Sequence, residues 1–293
     1  MSSANTGYSD EIIVYAFDTL TAAWSIPNIS GQIPLSRRQF QAVDDTNGKI
    51  YMFGGSKFPN FNDIFNDIQI LDTLSLTWTQ GSNVSAPTRR VDFTATFLNN
   101  GIILYIGGFA VSTIYMSEIR TYNTNNNSWG TMIATGDTLN SRSSHTAVLS
   151  PDGHVIIYGG NIDGSTDQSQ ILASLDTTVS PYQWSIKPMI GNNVPPSLAY
   201  HSSDIVGNFM ILAFGVMMAN NSFSNLTNVN SKIYLLDTRN YMWTIDTLHQ
   251  PDLTISPHDT LDAGVIVAVV VLIAVLAIII AWLKNTKLAI ICY

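Results

Sequence analysis

A single cysteine, Cys292, stands in 293 residues. No intrachain disulfide can form and no cysteine-based zinc site can be assembled, so a fold built by this chain is held by its core alone. Charge is scarce too: Asp, Glu, Lys and Arg make up 12% of the chain, about half the usual share for a soluble domain. The net charge is −8, and no run concentrates lysine or arginine. Phosphate neutralisation needs such a concentration, which excludes nucleic acid as a partner class. The chain has no Gly-x-Ser-x-Gly elbow, no P-loop and no His-x-x-x-His pair. Its opening, MSSANTGYSDEIIVYAFDTL, lacks the basic start and apolar run of a secretory leader.

What is present is, above all, a repeat. A glycine pair closes an apolar strand in YMFGG (Gly54, Gly55), YIGG (Gly107, Gly108) and IYGG (Gly159, Gly160), and a degraded copy, AFGV, carries Gly215. Phe40, Phe93, His145 and His201 stand fourteen residues before Gly54, Gly107, Gly159 and Gly215, so the fourth copy reads as having lost its second glycine at Val216. Arg37, Arg90 and Arg142 recur just ahead of these residues, with Leu198 in the fourth copy. Downstream comes a second mark, Asp-Thr or Asn-Thr followed by tryptophan: Asp72…Trp78, Asn123…Trp129, Asp176…Trp184 and Asp237…Trp243. A fifth copy, Asp18…Trp24, has no glycine pair before it. Between the marks lie hairpin residues, Asn47-Gly48, Asn100-Gly101 and Asp152-Gly153, inverted to Gly207-Asn208 in the fourth copy. Each unit thus divides into four short strands, and one such sheet buries both faces only by stacking radially against its neighbours.

The glycine pair, the aromatic-containing turn and the tryptophan, spaced about 50 residues apart, resemble the kelch repeat. The resemblance covers roughly residues 11–245 and looks closest to fungal single-pass membrane kelch proteins, often labelled galactose-oxidase-like. It implies an all-β kelch-type β-propeller: a half blade at 11–24 and four four-stranded blades at about 37–79, 90–130, 142–185 and 198–244. Residues 1–10 are an N-terminal extension and 246–262 a linker with two prolines. A half blade leaves an apolar edge open, which natural sheets avoid, so the expectation is a gene fragment whose missing part carries a leader and the lost strands.

From Ala263 to Leu283 the chain runs 21 residues without charge or proline. At about 1.5 Å per residue this spans a ~30 Å hydrocarbon core, and one transmembrane helix is expected. Trp282 suits the interface, and Lys284 and Lys287 place the short tail, 284–293, in the cytosol. The expectation is a plasma-membrane protein with its propeller outside the cell. A cytosolic tail-anchored scaffold is the alternative that the missing leader favours.

Catalysis is not expected. Galactose-oxidase-like copper chemistry needs a Tyr–Cys thioether, and no cysteine lies within the repeats. His145 and His201 alternate with phenylalanine and read as packing residues. No metal, cofactor or catalytic residue is therefore assigned, and the reading is a binding module for a protein or glycan. The loops after the second strands vary in length, the usual place for recognition on a rigid scaffold. The candidate binding face comprises Phe58, Phe61 and Phe65 in the first such loop and Tyr115 and Met116 in the second. Asn28, Asn83, Asn126, Asn220 and Asn225 are candidate N-glycosylation sites, as an ectodomain would carry.

Overall fold

The computed structural model describes residues 14–57, 63–111, 114–162, 168–218 and 229–244. These fall into two compact units, one containing residues 14–28 and the other residues 29–244. Beyond one 3-10 turn at Gln168–Gln170, the described regular structure is all β. Among the described residues no helix is long and apolar enough to cross a membrane. Residues 246–262, 263–283 and 284–293, with Phe58, Phe61, Asn220 and Asn225, lie outside the described residues.

The larger unit holds four sheets of the blade kind, here blades I to IV. Blade I consists of Ala42–Asp44, Lys49–Phe53, Ile68–Asp72 and Thr77–Gln80; blade II of Thr94–Phe97, Ile102–Ile106, Glu118–Asn123 and Ser128–Ile133. Blade III consists of Thr146–Leu149, His154–Tyr158, Leu172–Asp176 and Gln183–Ile186; blade IV of Ser202–Val206, Phe209–Ala213, Ile233–Asp237 and Met242–Thr244. In every blade the four strands pair antiparallel in chain order from the inside outward. The second strands of blades II and III, IILYI and HVIIY, are buried along nearly their whole length. Both of their faces are covered, so they read as continuous apolar runs and not as an alternation.

The Asp-Thr mark has a local cause. In each blade the threonine after the third strand gives both its N–H and its hydroxyl to one carbonyl of the first hairpin. Thr73 bonds Gly48 O, Thr124 Gly101 O, Thr177 Gly153 O and Thr238 Asn208 O, with hydroxyl distances of 2.7, 2.9, 2.6 and 2.9 Å. The preceding Asp or Asn accepts from the N–H two residues on, at 2.8–3.0 Å. This is an Asx turn that pins the two turns of a blade together.

Tryptophan centres the joints between blades. Trp129 of blade II meets Phe53 and Tyr105, Trp184 lies with Leu104 and Ile106, and Trp243 with Ile156 and Tyr158. Each tryptophan thus faces the blade before its own, and large aromatic areas leave water at every joint.

Two features differ from the sequence expectation. Blades I, III and IV carry a fifth, two-residue strand that pairs parallel with the outermost strand: Ser30–Gly31, Thr135–Gly136 and Ile190–Gly191. Glycine is required there, because a Cβ on Gly136 would lie 2.3 Å from the Trp184 carbonyl oxygen, and Gly31 and Gly191 are as tight. In addition, the first hairpin of blade IV is one residue shorter than in blade III: Ser202 pairs with Ala213, whereas Thr146 pairs with Tyr158. Gly215 therefore stands where Gly55, Gly108 and Gly160 stand, and Phe214 takes the first-glycine position at φ 63°. The fourteen-residue offset held by coincidence, and the glycine that blade IV has lost is the first.

In the small unit Ala16–Asp18 pairs with Ala23–Ser25. Phe17 and Trp24 stack at 4.8 Å, and Asp18 closes the turn through the N–H of Leu20.

Candidate functional site

The chain enters each blade through an arch just before the first strand, and the arch sets the geometry of one face. Gln39, Asp92, Ser144 and Tyr200 sit at its crown with φ between 54° and 61°. This left-handed turn aims each backbone at the next blade. Asp92 N–H donates to Gln39 O at 2.9 Å, Ser144 N–H to Asp92 O at 2.7 Å and Tyr200 N–H to Ser144 O at 3.0 Å. A ladder of main-chain bonds thus runs from blade I to blade IV.

The repeated arginine and glycine pair lock the arch from below. Nη1 of Arg37, Arg90 and Arg142 donates to the carbonyl of the first glycine of its own blade, Gly54, Gly107 and Gly159, at 3.2–3.3 Å. The carbonyl of the following arginine, or of Leu198, accepts from the second glycine's N–H at 2.8–3.1 Å. A Cβ on Gly54, Gly107 or Gly159 would lie 2.2–2.8 Å from that same carbonyl. The first glycine therefore lets the next blade approach, and the second fits against its own arch. All three guanidinium groups are buried. Arg37 has a bidentate partner in Asp67, whose carboxyl is held below its ordinary range despite burial by that bond. Arg142 instead donates to Gln170 O, and burial lowers it to about 10.

Histidines continue the cross-blade linkage. His145 Nε2 hydrogen-bonds Thr94 Oγ1 at 3.2 Å and His201 Nε2 bonds Thr146 Oγ1 at 2.8 Å. Burial pushes His145 well down and His201 down to about 4, so both imidazoles are neutral. Burial raises Asp92 to about 6, against the opposing bond from the Gln39 amide. Among the described residues no group of three or more His, Cys, Asp or Glu side chains could hold a metal.

The surface above the arches is apolar and aromatic. In the loop after the second strand of blade II, Phe109 and Tyr115 are 63% and 64% exposed, and Val111 stands out as well. Tyr200 and Phe214 are exposed on blade IV. Beside them a groove of about 400 Å³ runs between Val194–Pro196 and Met217, Val229 and Tyr234. The structure divides the residues expected on this face. Tyr115 is on it. Phe65 is half-buried with the Arg37 guanidinium 4.1 Å above its ring. Met116 is 1% exposed and packs in the joint between blades II and III, where its carbonyl accepts from Trp184 Nε1; it is a core residue and not a contact residue. Asn28, Asn83 and Asn126 are exposed. Sequence reading missed Tyr200 and the crown residues, because positive φ leaves no residue-type signal outside glycine. It also missed the third repeated glycine, although Ser30-Gly31, Thr135-Gly136 and Ile190-Gly191 recur ahead of their tryptophans.

Comparison with known proteins agrees with this geometry. The family model described as the KLHDC2/KLHL20/DRC7 Kelch-repeats domain matches residues 3–215. Kelch domain-containing protein 3 of Rattus norvegicus is 36% identical over 159 residues, half of this chain and 40% of that protein. Acyl-CoA-binding domain-containing protein 5 of Arabidopsis thaliana is 26% identical over 225 residues, 75% of this chain and 33% of that protein. Host cell factor of Drosophila melanogaster is 24% identical over 277 residues, 84% of this chain and 18% of that protein. The aligned part is thus well under half the length of each of these relatives.

Proposed function

Because the chain belongs to the kelch-repeat domain family, we propose that it is an interaction module that recognises a protein partner through the face above its arches. The observation that carries this reading is the exposure of Phe109, Tyr115, Tyr200 and Phe214 at one end of the strands. Large aromatic side chains held on a rigid, hydrogen-bonded frame lose little entropy on binding and are favoured at interfaces. The opposite end of the blades is made of turns closed by Asx and threonine bonds. A glycan is the second ligand class that this low-charge aromatic surface would suit.

The test is a photo-crosslinking amino acid placed at Tyr115, compared with one at Leu74. Leu74 is 82% exposed but lies in a turn at the other end of blade I. A discrete protein adduct from position 115 alone is expected. Equal adducts from both positions would sink the proposal, and a glycosylated species captured at 115 would favour the glycan class.

We also propose that residues 263–283 anchor the module in a membrane with residues 14–244 outside the cell. The support is the 21-residue apolar run and its lysine flank. Resistance to alkaline extraction, with protease access to the repeats on intact cells, is the expected result. Protection of the repeats in intact cells would point to the tail-anchored alternative.

A further inference from the structure

The first hairpins of blades I, II and III carry Asn47-Gly48, Asn100-Gly101 and Asp152-Gly153, and the first residue of each pair is exposed. In such a pair the glycine nitrogen can attack the side-chain carbonyl of the residue before it, because glycine has no Cβ to obstruct the approach. The attack needs two groups to be free. The glycine N–H must give up its proton, and the side chain must swing over the main chain. In blades II and III both groups are engaged. Gly101 N–H donates to Leu98 O at 3.0 Å, and Asn100 Oδ1 accepts from Ile102 N–H at 3.1 Å. Gly153 N–H donates to Ser150 O at 3.0 Å, and the Asp152 carboxylate accepts from the Ser150 hydroxyl.

Blade I braces its turn differently. Asp45, 7% exposed, accepts at Oδ1 from Asn47 N–H at 2.8 Å and from Lys49 N–H at 2.9 Å, and at Oδ2 from the Tyr51 hydroxyl at 3.2 Å. The carboxylate holds the turn from inside and leaves its tip unbonded. Among the described residues neither the Gly48 N–H nor the Asn47 side-chain amide makes a hydrogen bond. The three turns are otherwise alike. Their glycines have φ of 80°, 84° and 87°, and each glycine carbonyl is clasped by the threonine of its blade, Thr73, Thr124 or Thr177. The difference in reactivity therefore rests on the glycine N–H and the side chain before it.

We propose that Asn47 is a site of spontaneous deamidation, and that its conversion to isoaspartate releases the clasp of blade I. The Gly48 nitrogen bonds to Asn47 Cγ, its proton leaves with the side-chain amide as ammonia, and a cyclic imide remains. Water then opens the imide. Opening at the Asn47 main-chain carbonyl leaves isoaspartate, whose backbone runs through the former side chain and is longer by a methylene group; opening at Cγ leaves aspartate. No oxidant or cofactor takes part. Either product adds a carboxylate to a turn that already holds Asp44 and Asp45. Isoaspartate also shifts the Gly48 carbonyl, which accepts from Thr73 N–H at 2.9 Å and from Thr73 Oγ1 at 2.7 Å. The two turns of blade I then come apart while those of blades II and III stay pinned. The change falls on the frame and not on the exposed aromatics, which lie at the other end of the strands.

The test is to age the purified full chain in detergent at mildly alkaline pH, digest it with trypsin at mildly acidic pH where the reaction is slow, and follow the peptides by mass spectrometry. Arg38 and Lys49 bound the peptide that carries Asn47, and Arg90 and Arg120 the one that carries Asn100, so the two sites separate. Acid should accumulate at position 47, mostly as isoaspartate, and at position 100 on the order of tenfold more slowly, since two hydrogen bonds must break there first. Asn47→Gln should stop the conversion at 47. In the aged protein, hydrogen exchange at the Thr73 amide should speed up while that at Thr124 does not change, and fresh Asn47→Asp, with its ordinary backbone, should exchange at Thr73 like the unaged chain. Equal rates at 47 and 100 would overturn the proposal. So would an intact Asn47 after the free peptide Gln39–Lys49 has fully converted. Conversion at 47 with unchanged exchange at Thr73 would overturn the release of the clasp.

Discussion

His201 is the residue whose charge state matters most to stability. Its imidazole titrates near 4 in the fold against about 6.5 in an unfolded chain. The unfolded state therefore binds the extra proton first. The neutral form's stability is fully present above about pH 6.5 and is lost as pH falls toward 4. At pH 5 the loss from this one group is on the order of 2 kcal/mol. Replacing it with the phenylalanine that blades I and II carry, His201→Phe, should flatten the drop in urea midpoint between pH 7.5 and 5, at the cost of the Thr146 bond. Asp92 acts with the opposite sign. Its carboxyl is raised to about 6, so the fold holds a proton that the unfolded chain has released, and stability falls as pH rises from about 4 through 6. Asp92→Asn should therefore raise the urea midpoint at pH 7 more than at pH 4.5, and an equal change at both values would show that burial does not govern this group. The packing role of both histidines was legible from their alternation with phenylalanine. The burial of Asp92 was not, because it depends on the arch that Asp92 crowns and on the Gln39 bond from the blade before.

At the scale of the element, three kinds of glycine look alike in sequence and differ in what surrounds them. Gly136→Ala should cost about 3 kcal/mol, since a methyl group would enter the Trp184 carbonyl and expel the parallel edge strand. Gly207→Ala is the control: φ is 57° but nothing lies within 4 Å, so only left-handed strain of about 1 kcal/mol is expected. Equal midpoint shifts for the two in chemical denaturation would refute the steric account. The buried arginines invite a second comparison. Arg142→Ala strips the partner from the carbonyls of Gly159 and Gln170 and opens a cavity, an expected loss of about 3 kcal/mol or more. Arg142→Leu fills the volume with the residue that blade IV uses at position 198, and should recover part of that loss. The Asp-Thr turns were readable in advance because the Asx bond reaches only two residues on; the threonine bond, to a carbonyl 23–30 residues earlier, was not. The arginine was visible as a repeat, but its acceptor lies across the blade and only the folded arch brings the two together.

For the molecule as a whole, stacked blades make stability a sum of joints. Ile157→Ala, in the joint between blades II and III, should cost about 3 kcal/mol, whereas Ile211→Ala on blade IV, where the side chain is only partly covered, should cost under about 1 kcal/mol. Similar losses would mean that Ile211 is as well covered as a side chain in an interior joint. The four main strands and the two turns of each blade, with the tryptophan of each joint, were determined by the amino-acid sequence alone, whereas the fifth edge strand of blades I, III and IV was not. Each of the former is specified by residues within one hairpin, where turn chemistry and apolar runs act directly. What only the tertiary structure decided is which glycine touches the next blade, which aromatics remain exposed above the arches, and that Met116 turns inward while Tyr115 does not. Those outcomes depend on contacts between blades about 50 residues apart, and no local preference encodes which side of a loop will find a neighbour waiting.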